Sequence, residues 1–265
     1  MKKKLLAVIL LVLAGLLKGA GKMGTNTCFV AKERESVLQR TGEAERRYSP
    51  CSTFKVPLSV MMYDQKLLVD ETHPVLPFKP GYVDWVPEWK QDQNPTTWMK
   101  YSCVWFSQVL TKKLGMKKFR DYVAKFDYGN QDLAGDPGED NGLTNAWLAS
   151  SLTISADEQV TFLQKLVDSR LPASQRAQQM TRNILFLEDL PNGWKLYGKT
   201  GSGPVREAGG NLSNKDLLGW CVGWAQKDAR TMVFACHEVY PMNVGLNAGK
   251  RAKETAKTLL EPLLA

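Results

Sequence analysis

Residues Leu218 to Ala225 alternate with a period of two: Leu218, Trp220, Val222 and Trp224 hold the even positions, and Gly219, Cys221, Gly223 and Ala225 the odd ones. That period belongs to a β-strand, whose successive side chains point to opposite faces. One face is bulky and apolar and the other nearly bare, so the strand needs a core on one side and leaves space for a closely approaching helix on the other. A helix is also predicted at Ala248 to Leu260, closing the chain, with Leu259 and Leu260 turned to the core. A second strand over Thr231 to Val239 precedes it, across a polar turn at Gln226 to Arg230.

Short strands are also predicted near the other end, at Cys28 to Ala31 and Ser36 to Gln39. Between these ends the period is helical. Helices are predicted over Met99 to Leu114, Lys117 to Lys125 and Ala156 to Asp168, the last with Ser155 as N-cap and Glu158 three residues on as a capping box. Thr72 to Thr97 carries Pro74, Pro77, Pro80, Pro87 and Pro95, which exclude a long helix and predict an irregular surface excursion. The fold class that follows is α+β: an antiparallel sheet built from both chain ends and flanked by helices, with an inserted helical lobe. The expected α/β part spans about residues 22–60 and 190–265, and the helical part about 61–189.

At 265 residues the chain can bury a sizeable core as one large domain or two intimate lobes. Its formal net charge of +8 is misleading, because Lys2, Lys3, Lys4, Lys18 and Lys22 precede any acid and without them the charge falls to +3. No nucleic-acid partner is implied. Lys2 to Lys4 followed by the apolar run Leu5 to Leu17 reads as a secretory signal peptide over residues 1–21, too short for a comfortable membrane span. Gly19 and Gly21 offer small residues for cleavage, without an Ala-x-Ala, so removal and retention as an anchor both stay open. The expected location is periplasmic or secreted, with no membrane association once the signal is removed.

Five cysteines, Cys28, Cys51, Cys103, Cys221 and Cys236, leave at least one thiol free. Cys28 with Cys51 is the candidate bridge, against five small buried hydrophobes as the competing reading. Two histidines, His73 and His237, with no metal-ligand spacing, exclude a zinc hydrolase and give a Ser-His-Asp triad no supporting motif. No metal site is expected.

Ser52-Thr53-Phe54-Lys55 puts a hydroxyl and an amine one helical turn apart, so Lys55 can take the proton that Ser52 must lose to become a nucleophile. A serine N-cap before an amphipathic helix is the competing reading. Lys199-Thr200-Gly201, continued by Ser202-Gly203 at the end of the strand-like Trp194 to Gly198, presents a lysine and a hydroxyl suited to a carboxylate, with N–H groups suited to an oxyanion. Ser102-Cys103-Val104 places a serine that can relay a proton.

S-x-x-K, a serine about 50 residues later and K-T-G about 100 residues beyond is the order found in penicillin-recognising serine enzymes. Together with Tyr128-Gly129-Asn130 and Trp147-Leu148, these motifs resemble the class D, oxacillinase-type, serine β-lactamases over roughly residues 28 to 265. The resemblance implies a penicillin-binding, transpeptidase-like fold and hydrolysis of β-lactam antibiotics through an acyl-enzyme on Ser52. It implies carboxylation of Lys55 by CO₂ to N-carboxylysine, which serves as general base for acylation and deacylation. No separate cofactor molecule is implied. Trp147, Val104 and Leu148 match the carbamate pocket, and Ser102 and Lys199 match the groups that protonate the leaving nitrogen. Thr200 and Arg251 match the binders of the substrate carboxylate, and Gly201 and Ser202 line the same strand, with the Ser202 N–H joining that of Ser52 in the oxyanion site. Trp98 and Met99 are read either as lining the cleft or as core residues before a helix. Cys51, where many relatives carry alanine, and Ser202 depart from the family pattern.

Carboxylation needs a neutral amine, and an ordinary lysine is neutral only about one part in a thousand at pH 7.4. Burial of Lys55 is therefore required. Two rivals share the fold. A β-lactam sensor domain stays acylated, and it carries preceding membrane helices and a polar residue at the position of Val104; a DD-peptidase acts on cell-wall peptide.

Overall fold

The alternating stretch around Trp220 lies inside the longest strand of a six-stranded antiparallel sheet. The computed structural model describes residues 27–207, 210–242 and 248–265, so the expected signal peptide lies outside the described residues. The strands are β1 (Thr27–Glu33), β2 (Ser36–Thr41), β3 (Phe186–Asp189), β4 (Lys195–Arg206), β5 (Leu212–Lys227) and β6 (Arg230–Pro241), in the order β2-β1-β6-β5-β4-β3. β1 pairs with β6 in a register that sets Phe29 opposite Cys236, which joins the two ends of the chain in one sheet. Eight α-helices lie among the described residues: α1 (Lys55–Asp64), α2 (Pro95–Tyr101), α3 (Val104–Leu114), α4 (Met116–Lys125), α5 (Gly142–Asn145), α6 (Ala156–Val167), α7 (Gln175–Asn183) and α8 (Ala248–Leu260). The α+β class expected from the sequence, an antiparallel sheet built from both chain ends with helices inserted between, is that observed.

The two faces of β5 behave as their side chains require. Leu218, Trp220, Val222 and Trp224 join Val30, Val233, α1 and the inserted helices in one apolar core, each fully buried large side chain contributing roughly 1.5–3 kcal/mol. Cys221 and Ala225 face a second core with Phe29, Phe234, Ala252, Ala256 and Leu260. Here α8 comes so close that a Cβ on Gly219 would stand 2.2 Å from the Ala248 carbonyl oxygen.

Two expectations are corrected. Met99 to Leu114 is not one helix, because α2 ends at Ser102 in the left-handed region (φ 59°, ψ 30°) and α3 starts afresh at Val104. Pro95 occupies the first turn of the short α2 behind an Asn94–Thr97 capping box, where its missing N–H costs nothing, and no long helix lies within Thr72 to Thr97. All five cysteines are free and buried, and no bridge joins Cys28 to Cys51. The Ser155–Glu158 capping box of α6 is present as expected.

Candidate active site

The segment entering from Arg47 tightens into a 3₁₀ turn at Cys51–Phe54 and continues directly as α1. Ser52 is not an N-cap, since the α1 N-cap position is Phe54 and has no side-chain cap. The turn instead stacks Ser52 over Lys55, whose Nζ donates to Ser52 Oγ at 3.1 Å. α1 is buried almost all round, from Val56 to Tyr63, so it runs through the core and carries Lys55 in with it. Lys55 is fully buried. Burial pushes its amine down to about 8, with the thiols Cys103 and Cys51 pulling weakly the other way.

β4 runs beside this turn, and its glycines permit the approach. A Cβ on Gly201 would lie 3.0 Å from the Pro50 carbonyl oxygen and 3.2 Å from Ser52 N, and one on Gly203 would lie 2.7 Å from Cys51 Sγ. Lys199 is buried on the same strand, donating to the Thr200 carbonyl at 2.9 Å. Burial, and next the charge of Lys55, push its amine down to about 7. Two amines that disfavour each other's charge therefore share one site. Ser202 Oγ accepts the Gly249 N–H at 2.8 Å, which fixes the start of α8 against β4.

Ser102 is half-buried at the turn between α2 and α3. The Cys103 N–H bonds the Trp98 carbonyl at 3.1 Å and closes that turn, and Val104 is buried behind it. Trp147 is fully buried, stacked on Phe54 at 5.5 Å and edge-on to Phe119 at 6.2 Å. Leu148 beside it is half-buried. The indole N–H of Trp147 is buried without a hydrogen-bond partner among the described residues. A buried orphan donor is costly unless something else accepts from it. That donor, the buried Lys55 amine with its lowered affinity for a proton and the apolar wall fit a carboxylate carried on Lys55 Nζ.

Not every expected residue is gathered here. Arg251 is exposed on α8, its guanidinium 5.8 Å from the Tyr240 ring centroid, because Gly249 and not Arg251 is the position that α8 turns toward β4. Trp98 and Met99 are core residues, with the Trp98 indole N–H bonded to Ser107 Oγ at 2.9 Å. Tyr128 packs edge-on to Phe54 at 5.3 Å, and the Asn130 amide holds the Ser151 carbonyl at 2.8 Å, so this motif shapes the wall of the site. Sequence reading passed over Ser49, because a serine before a proline reads only as a turn. Its hydroxyl donates to the Trp147 carbonyl at 2.8 Å.

The family model for the penicillin binding protein transpeptidase domain matches residues 23–261. The chain is 42% identical over 220 residues to "Beta-lactamase OXA-9" of Klebsiella pneumoniae, covering 83% of this chain and 80% of that protein. To "Beta-lactamase OXA-1" of Escherichia coli it is 37% identical over 249 residues, covering 91% and 86% respectively. Among solved structures, the OXA-427 class D β-lactamase superposes with a TM-score of 0.85 at 43% identity, over 90% of this chain and 98% of that one.

Proposed function

This chain belongs to the class D β-lactamases, within the penicillin-binding-protein transpeptidase-domain family, and from that premise we propose a reaction centred on Ser52. The enzyme is a β-lactamase, and its hydrolysis of β-lactam antibiotics confers resistance to them. Ser52 Oγ attacks the lactam carbonyl, the ring C–N bond breaks, and the acyl group stays on Ser52 until water releases it. The N–H groups of Ser52 and Ser202 hold the oxyanion, each such donor contributing roughly 2.7–4 kcal/mol to the transition state. Lys199 and Ser102 deliver a proton to the leaving nitrogen. Burial beside uncarboxylated Lys55 pushes the Lys199 amine down to about 7, and an anion in place of the Lys55 charge draws it back up, toward the protonated form that a proton donor needs. Thr200 and Lys199 receive the substrate carboxylate, with Arg251, exposed on α8 beside the Tyr240 ring, as the further candidate.

A carbamate on Lys55 would supply an anionic base beside Ser52 for both half-reactions. Trp147 would donate its indole N–H to that group, and Val104 and Leu148 would keep water from it. One observation carries this reading: the Lys55 amine is fully buried at 3.1 Å from Ser52 Oγ, while the Trp147 indole N–H has no partner among the described residues. Removal of a leader at 1–21, a catalytic domain from residue 22 and a periplasmic or secreted location belong to the same proposal. Among the described residues no helix is long and apolar enough to cross a membrane.

Penicillin hydrolysis measured with and without bicarbonate tests the scheme. Progress curves should be biphasic without bicarbonate and linear with it, and Lys55→Ala should at most trap a stoichiometric acyl-enzyme. Near-normal turnover by Lys55→Ala refutes the assignment. Stoichiometric acylation of the unmodified chain without turnover would make it a sensor, and turnover of D-Ala-D-Ala peptides but not penicillin a peptidase.

A further inference from the structure

Ser49 stands three residues before the nucleophile and is 7% exposed. Its hydroxyl donates to the Trp147 carbonyl at 2.8 Å and accepts the Ala149 N–H at 2.9 Å, so one side chain clasps both ends of Trp147-Leu148-Ala149. Its own carbonyl accepts the Trp220 indole N–H at 3.1 Å, which anchors it to the middle of β5. Ala149 is held in the left-handed region, at φ 52°, and its carbonyl accepts Arg206 Nε at 2.9 Å. The backbone that carries Trp147 is thus fixed from three sides, and of these fixing groups Ser49 lies on the segment leading into Ser52.

The indole that this clasp carries has its N–H buried and unpartnered among the described residues, and its ring lies on Phe54, the neighbour of Lys55. A donor serves a buried anion only if its direction is set beforehand, because a swing of even a few tens of degrees weakens the bond steeply. We propose that Ser49 is a positioning residue that fixes the Trp147 indole N–H for the carboxylate on Lys55, and so sets the affinity of this enzyme for CO₂. The proposal rests on the carboxylated-lysine reading. In forming that group the Lys55 nitrogen lone pair bonds the carbon of CO₂, and the amine gives up a proton to solvent. Ser49 touches neither substrate nor CO₂.

The test is ¹³C NMR of the full chain titrated with ¹³C-bicarbonate at fixed pH, alongside thermal melting. The unmodified chain should show a carbamate resonance that Lys55→Ala lacks. Ser49→Ala should need about tenfold more bicarbonate for half-saturation, the scale seen when an outer partner of a bound group is removed. The nearly isosteric pair Ser49→Thr and Ser49→Val separates hydroxyl from shape, and it carries the comparison if Ser49→Ala does not fold. The threonine variant should stay near the unmodified value and the valine variant should follow Ser49→Ala. A lowered melting temperature with unchanged half-saturation in both Ala and Val variants overturns the positioning role and leaves the carboxylation reading standing. Absence of the resonance in the unmodified chain overturns both.

Discussion

Cys51, Ser102 and Ala149 are not glycines, yet each adopts a left-handed backbone, at φ 49°, 59° and 52°. Such a conformation costs an L-residue roughly 1–2 kcal/mol, and all three occur where a segment must turn to present Ser52, Ser102 or Trp147. The site is held in place by strain that the surrounding core outweighs. The same core tunes Lys55. With its amine near 8, about a fifth is neutral at pH 7.4, against about a thousandth for a solvated lysine. Only the neutral form captures CO₂, so at constant dissolved CO₂ the initial rate of carboxylation should climb steeply between pH 6.5 and 8 and flatten above about 8. Following the early growth of the carbamate signal of decarboxylated protein across that range by ¹³C NMR gives the bend directly; a bend near 10.5 would mean that the amine is solvated.

At the scale of elements, the contact of α8 with β5 is set by missing side chains. Gly219→Val would drive Cβ to 2.2 Å from the Ala248 carbonyl oxygen, a backbone atom that yields only if the whole helix moves. Loss of about 3 kcal/mol follows from such overpacking, and urea unfolding should show it as a lower midpoint; an unchanged midpoint would mean that α8 is not seated on β5. That some helix covers this face was readable from the sequence, because a bare face alternating with a bulky one lets a helix backbone settle directly on the strand; that α8 is the one was not. The capping box of α6 was readable for a related reason: its signal is local. The break between α2 and α3 was not, since the sequence on both sides is equally helical. Distant groups enforce it: the Trp89 indole N–H donates to the Tyr101 carbonyl at 2.8 Å, and Trp98 reaches Ser107. α7 escaped notice because it buries Ala177, Gln178 and Thr181 in place of an apolar stripe. Thr181 is satisfied by a partner far off in the chain, Ser59 Oγ at 2.7 Å from Thr181 Oγ1, and Gln178 by the Leu171 and Ala173 carbonyls of the preceding turn. In the site, the motifs in the sequence anticipate that Ser52 meets Lys55 and that Lys199 and Gly201 share the strand beside them, while the exposed position of Arg251 depends on which glycine of α8 meets β4, which the sequence does not show.

For the molecule as a whole, the buried basic groups divide the pH axis between them. Unmodified Lys55 and Lys199 are depressed from 10.5 to about 8 and about 7, so the stability lost by forcing them to charge on folding develops as pH falls from 10.5 to about 7 and is then constant. His237 acts next. It is 3% exposed between the rings of Trp220 at 4.6 Å and Tyr48 at 5.0 Å, and neither ring nitrogen has a hydrogen-bond partner among the described residues. Burial, then Arg46, push it from 6.5 down to about 4, with Glu43 opposing. The unfolded chain therefore binds a proton that the folded chain refuses. Stability is complete above pH 6.5 and falls as pH drops toward 4, by on the order of 3 kcal/mol for a shift of this size. Carboxylates held down by partners, such as Glu158 by Arg47 and Asp70 by its Thr72 and His73 contacts, lose their contribution only as they protonate, at or below their ordinary range. The window from about 6.5 to 4.5 thus belongs to His237. Urea midpoints measured across it should fall for the unmodified chain and stay nearly level for His237→Phe, whose ring can occupy the same slot between Trp220 and Tyr48 without titrating. Equal slopes for the two proteins would place the acid sensitivity elsewhere, and would mean that the imidazole is wet enough in the folded chain to charge freely.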